Sequence, residues 1–98
     1  MKINYNVSDG NLNIALDGRL DTTTAPELES FINKNYDGVM ALNIDCEGLA
    51  YISSAGLRVL LSTQKKMNGQ GSMKVTHVNE IIREIFDVTG FSDILTVE

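Results

Sequence analysis

A chain of 98 residues has room for one hydrophobic core and not for two. With 43% apolar and 21% charged residues it has the balance of an ordinary globular protein, and no apolar run approaches the roughly 20 residues that a membrane-spanning helix needs. The net charge is −5 and the basic residues are scattered, with Lys65-Lys66 too short to make a patch, which excludes a nucleic-acid backbone as partner.

The start, Met1-Lys2-Ile3-Asn4-Tyr5-Asn6, lacks the apolar core of a signal peptide. The lone Cys46 has no partner for an internal disulfide. Both point to a reducing cytoplasm and to no insertion into a membrane.

Ile3, Tyr5 and Val7 alternate with polar residues, the two-residue period of a half-buried strand. Ser8-Asp9-Gly10-Asn11 is a turn cluster, and Asp-Gly is a strong hairpin signal. Leu12, Ile14 and Leu16 predict the second strand. Asp17-Gly18-Arg19-Leu20-Asp21 then breaks the alternation. Thr22, Thr23 and Thr24 offer N-caps for a helix, and Pro26 falls within a residue or two of its start. Leu28, Phe31 and Ile32 follow at helical spacing, with Glu27 and Glu29 near the positive end of the dipole. Asp37-Gly38 ends this unit.

Val39 to Ile44 is a short, nearly continuous apolar run, which predicts a central strand. Asp45-Cys46-Glu47-Gly48 is expected to close it, and Leu49-Ala50-Tyr51-Ile52 leads into Ser53 and Ser54. Leu57, Leu60 and Leu61 repeat at helical spacing behind these serines, so a helix is expected from there to about Asn68. Gly69 and Gly71 mark its stop, and Lys65 and Lys66 sit near its negative end. Met73, Val75 and His77 predict another strand. Asn79 is a natural N-cap for a last helix carrying Ile81, Ile82, Ile85 and Phe86. Gly90 ends that helix, Phe91 and Ile94 are expected to cover the exit, and Leu95-Thr96-Val97 reads as a short final strand.

The expected order is therefore β-β-α-β-α-β-α-β. This is an α/β chain: an N-terminal hairpin, then alternating helices and strands, giving a mixed sheet with a parallel core.

Catalysis needs a nucleophile with a base, a metal or a cofactor site. The one histidine, His77, has no second histidine or cysteine near it in the sequence, so no metal site is expected. Cys46 lacks a neighbouring cation and reads as a structural residue. Neither a glycine-rich phosphate loop nor G-x-S-x-G is present. Asp17 and Asp21 flank a glycine and read as turn and capping residues rather than paired catalytic carboxylates. The expectation is a protein that is not an enzyme and needs no cofactor.

Four stretches carry a resemblance. Leu16-Asp17-Gly18-Arg19-Leu20-Asp21-Thr22 is similar to the L-x-G-x-L-D loop of the STAS domains, the sulfate transporter and anti-sigma factor antagonist family. Leu42-Asn43-Ile44-Asp45 is similar to that family's central strand. Tyr51-Ile52-Ser53-Ser54-Ala55-Gly56-Leu57 resembles its F-M-D-S-[S/T/A]-G-L, and Phe86-Asp87-Val88-Thr89-Gly90-Phe91 its F-x-x-[ST]-G-[LF]. The likeness is greatest to the stand-alone bacterial anti-sigma factor antagonists. It implies a single STAS domain over residues 1–98.

The resemblance also implies a function. In the family, the serine after the motif's aspartate is phosphorylated by a partner that is both kinase and anti-sigma factor. That serine corresponds to Ser54, and the aspartate's position holds the uncharged Ser53, the lesser candidate acceptor. A serine phosphatase would reverse the modification. The implied partner-binding face comprises Asp21, Thr22 and Thr23 before the first helix, and Ser53, Ser54, Ala55, Gly56, Leu57 and Arg58 at the second. Two other readings stand beside it. One is a non-phosphorylated STAS interaction subunit, such as the partner of an ABC transporter ATPase in lipid transport. The other is a small enzyme using Ser54 as nucleophile.

Overall fold

The computed structural model describes all residues from Met1 to Glu98. Strand β1 (Lys2–Ser8) turns back into β2 (Asn11–Leu20), followed by α1 (Ala25–Asn35), β3 (Ala41–Ile52), α2 (Ser54–Asn68), β4 (Ser72–Thr76) and α3 (Glu80–Thr89). A single 3-10 turn, Phe91–Asp93, comes last. The sheet order is β1-β2-β3-β4. β1 runs antiparallel to β2, while β2, β3 and β4 are mutually parallel neighbours. This is the mixed sheet with a parallel core that the alternation of elements implied.

The hairpin forms where Asp9-Gly10 put it. Ser8 faces Asn11 across a two-residue loop. Asp9 has φ 50° and Gly10 φ 80°, the left-handed pair that matches the twist of the flanking strands.

One face of the sheet is dry. Leu12, Ile14 and Leu16 of β2, Leu42, Ile44 and Cys46 of β3, and Met73 and Val75 of β4 are all buried. They join Leu28 and Ile32 of α1, Leu57, Val59, Leu60 and Met67 of α2, and Ile82 and Phe86 of α3 in one core of 22 residues. The alternate positions, including Asn13, Asn43, Asp45, Lys74 and Thr76, point to the other, polar face. Fully burying a side chain of this size contributes about 1.5–3 kcal/mol, which makes this inner layer the main source of stability.

Four expectations are corrected. The run Asp17–Leu20 does not break the second strand, and Asp45–Gly48 does not close the third. Both strands continue, because the β2–β3 ladder absorbs two register shifts, between Ala15 and Asp17 and between Gly18 and Arg19. Gly48 lies opposite the first shift, where a Cβ would stand 3.0 Å from the Leu16 carbonyl oxygen. The final strand shrinks to a bridge in which Val97 lies beside Val75, with the Val75 N–H donating to Thr96 O and the Glu98 N–H to Val75 O. The α3 stripe is also narrower than predicted. Ile82 and Phe86 are fully buried, but Ile81 is 62% exposed.

The predicted cap of α3 forms. The Asn79 side chain accepts from the Ile82 N–H at 2.8 Å, and Gly90 ends the helix in the left-handed conformation. No helix is long and apolar enough to cross a membrane.

Candidate functional site

The parallel ladder carries β2 and β3 to the same edge, Leu20 beside Ile52. The Ser53 N–H then donates to Leu20 O at 2.9 Å, tying the start of α2 to the end of β2. As a result the loop after β2, with Asp21, Thr22 and Thr23, and the start of α2, with Ser53 and Ser54, lie at one end of the sheet.

Ser53 is the N-cap of α2, with extended backbone (φ −100°, ψ 176°), and its carbonyl accepts the first helical bond from the Leu57 N–H. Its hydroxyl makes no capping bond; Ser53 Oγ is buried without a partner. Ser54 is the first helical residue and is exposed. The first backbone N–H groups of α2 have no helical acceptor, and no acidic residue occupies the first turn to complement them. Ser54 therefore presents a neutral hydroxyl at a positive helix end.

The remaining residues of the stretch divide. Ala55 is half-buried and Arg58 is exposed one turn further on. Gly56 and Leu57 are buried against the ends of the strands. A Cβ on Gly56 would stand 2.7 Å from Leu20 Cγ and 2.9 Å from Ile52 Cγ1. The glycine lets α2 lie directly on the ends of β2 and β3.

The opposite rim is organised by Asp21. Its Oδ1 accepts from the Thr23 N–H (3.0 Å), the Thr23 hydroxyl (2.7 Å) and the Thr24 N–H (3.2 Å). Thr24 itself makes no side-chain cap on α1; its hydroxyl donates back to Arg19 O at 2.8 Å. Thr24 thus holds the N-cap position of α1 without a side-chain capping bond, and Thr23 and Thr24 serve as donors to one carboxylate. Thr22 and Thr23 are exposed beside them.

These bonds, led by the Thr23 hydroxyl, lower the Asp21 carboxyl from its ordinary 3.8. A depressed folded-state value contributes stability above 3.8, and the contribution is lost as pH falls through the folded value. A carboxyl-carbon NMR titration should give a midpoint below 3.8 for Asp21. Asp21→Asn should lower Tm at pH 7 and shrink the difference from the parent as pH falls through that midpoint.

Two residues missed by the sequence reading belong to this rim. Arg19 lies beside Tyr51 in the ladder, its guanidinium 4.5 Å from the ring centroid, and its Nε is 3.8 Å from Asp21 Oδ2. Both stand inside the motifs, but only the shifted register reveals that they pair.

The competing chemistry is not assembled around Ser54. Cys46 is buried, and burial together with the neighbouring Asp45 pushes its thiol up to about 12. His77 is exposed just after β4, with its Nδ1 3.0 Å from Asp45 Oδ1.

The STAS domain model matches residues 2–98. The chain belongs to the STAS domain family. Among curated STAS relatives, BtrV of Bordetella bronchiseptica, which bears the name of an anti-sigma factor antagonist, is 34% identical over 99% of this chain and 85% of its own. The anti-sigma-B factor antagonist of Staphylococcus aureus is 27% identical over 99% of this chain and 92% of its own. Among solved STAS structures, an anti-sigma factor antagonist from Mycobacterium paratuberculosis superposes with TM-score 0.88 at 26% identity, covering 98% of this chain and 83% of that one. SpoIIAA matches in its unphosphorylated form (TM-score 0.78, 16% identity, 99% of this chain and 87% of that one). The phosphorylated form from Bacillus matches almost equally (TM-score 0.77, 17% identity, 99% and 91%), and at these identities the likeness is one of fold.

Proposed function

We propose that this STAS domain is an anti-sigma factor antagonist, a protein-binding switch that captures an anti-sigma factor kinase and is turned off by phosphorylation of Ser54. The observation that carries the reading is the exposed, neutral Ser54 at the first position of α2. The names of its relatives support the class of partner. The Asp21 loop and Arg58 supply the polar rim of the docking face.

The switch is electrostatic and steric. A phosphate adds about −1.5 to −2 charges at pH 7. The open N–H groups and dipole of α2 favour an anion there, so the host keeps its shape. A partner fitted to a bare hydroxyl meets bulk and charge instead. A serine phosphatase would restore the neutral face. In this scheme the protein works in the cytoplasm and is not an enzyme, since the phosphoryl group comes from ATP through the partner. The lone histidine is engaged by Asp45 and is not a base for Ser54, which supports that view.

The experiment is transfer of labelled phosphate from ATP by the cognate kinase, with the site mapped by mass spectrometry. We expect a single phosphate on Ser54, abolished in Ser54→Ala and retained in Ser53→Ala. Transfer to Ser53 would move the switch one residue. Absence of transfer would favour the alternative, a non-switching STAS subunit.

A further inference from the structure

A second polar cluster lies apart from Ser54, on the open face of the sheet. Asp45 and Glu47 are two residues apart on β3, on the side opposite the buried Ile44 and Cys46. Asp45 stands beside Thr76, the last residue of the neighbouring parallel strand β4. The next residue is His77, whose positive φ of 58° turns the chain at that point. One step of register therefore brings the imidazole from β4 against the carboxylate from β3, with His77 Nδ1 3.0 Å from Asp45 Oδ1. Ligand atoms of Asp45, Glu47 and His77 all lie within 4.8 Å of one another.

We propose that Asp45, Glu47 and His77 form a binding site for a first-row transition-metal dication, of which Zn2+ is the type. The donor set decides the class. One imidazole and two carboxylates suit Zn2+ and its neighbours, whereas Mg2+ and Ca2+ take nearly all-oxygen shells of higher coordination number. Soft ions that seek thiolate are excluded by geometry, since Cys46 is buried on the other face of the same strand.

Metal–ligand bonds of about 2.0–2.2 Å set tetrahedral ligand atoms about 3.4 Å apart. The present cluster closes to that spacing by small side-chain movements, because Glu47 and His77 are both exposed and free to turn. Asp45 is already oriented: its Oδ1 accepts from the Glu47 N–H at 2.9 Å, the kind of supporting bond that fixes a ligating carboxylate. Binding replaces the Nδ1–Oδ1 contact, so His77 binds as neutral imidazole with its ring proton on Nε2. Three protein ligands leave one position for water or for a donor from a partner.

The site is independent of the Ser54 switch and is tested separately. Isothermal titration of the purified protein with Zn2+ should show one equivalent bound, with no comparable heat from Mg2+ or Ca2+. NMR shifts should centre on residues 45, 47 and 77. His77→Ala, Asp45→Asn and Glu47→Gln should each weaken Zn2+ binding tenfold or more. Circular dichroism and metal-free melting of the Glu47→Gln variant, whose side chain is exposed, should match the parent. Undiminished Zn2+ binding in His77→Ala overturns the proposal, as does equal affinity for Mg2+ or no binding at millimolar metal.

Discussion

Ser54→Asp should weaken binding to the partner anti-sigma factor by a hundredfold or more, while Ser54→Ala should bind as the unmodified protein does. A hundredfold loss corresponds to about 2.7 kcal/mol. An aspartate carries one charge against the roughly −1.5 to −2 of a phosphate, so the substitution sets a lower bound on the natural effect. Local strain does not account for such a loss. Ser54 is exposed at the first position of a helix whose first turn holds no acid, and a carboxylate there is stabilised by the dipole. The thermal midpoint of Ser54→Asp should therefore equal or slightly exceed that of the parent. The penalty falls on the complex, where the added charge is desolvated against the partner.

Ionic strength separates the two contributions. Repulsion between charges is screened at high salt, whereas the bulk of the side chain is not. A loss that shrinks between low and high salt is electrostatic, and one that persists is steric. Equal affinity of the Asp and Ala variants would remove the switch and leave a docking module.

Much of this arrangement was legible in the residues. Asp9-Gly10 specified its own turn because only a few residue pairs adopt the left-handed conformation at both positions. Asn79 and Gly90 bounded α3 for the same local reason, one by its side-chain acceptor and the other by its freedom of φ. Which of Ser53 and Ser54 is exposed is set by how α2 seats on the sheet: Ser54 begins the helix and is exposed, whereas the Ser53 hydroxyl is buried.

What escaped was non-local. Asp17 to Leu20 and Asp45 to Gly48 look like loops because their alternation is lost, yet both stay in the β2–β3 ladder, Asp17 beside Gly48 and Gly18 beside Leu49, across two register shifts. A shift in pairing leaves no mark in either strand alone. The Arg19–Tyr51 contact follows from that register and the meeting of His77 with Asp45 from the β3–β4 pairing, so periodicity within one segment does not reveal either. The Asp21 loop is an intermediate case. Its residues were singled out, but three adjacent threonines suggested caps, whereas the hydrogen bonds converge on the aspartate before them.

Gly56 is the position where fold and switch are most tightly joined, and a graded series of substitutions should expose this. Replacing glycine by alanine within an exposed helix ordinarily gains about 1 kcal/mol. Here the added Cβ stands 2.7 Å from Leu20 Cγ, 2.9 Å from Ile52 Cγ1 and 3.0 Å from Leu20 Cδ2. Leu20 and Ile52 are themselves buried and have nowhere to retreat. Overpacking of this kind costs about 1–3 kcal/mol, so Gly56→Ala should be net destabilising by about 1 kcal/mol despite its better helix propensity. Gly56→Val, with two further methyl groups and a poorer helical residue, should lose about 3 kcal/mol. In a domain of this size each kcal/mol lowers Tm by about 4–8 °C. Urea unfolding should show a lower midpoint with an unchanged slope, as expected when only the native packing is altered.

The second readout is binding. Relief of the clash moves the start of α2 away from the end of β2, and Ser54 moves with it relative to the Asp21 loop. Gly56→Ala should therefore weaken partner binding although the substituted atom is hidden from the partner. An alanine variant that keeps parental Tm and affinity would mean that the helix end seats itself elsewhere, and Ser54 would then owe its position to something other than this close approach.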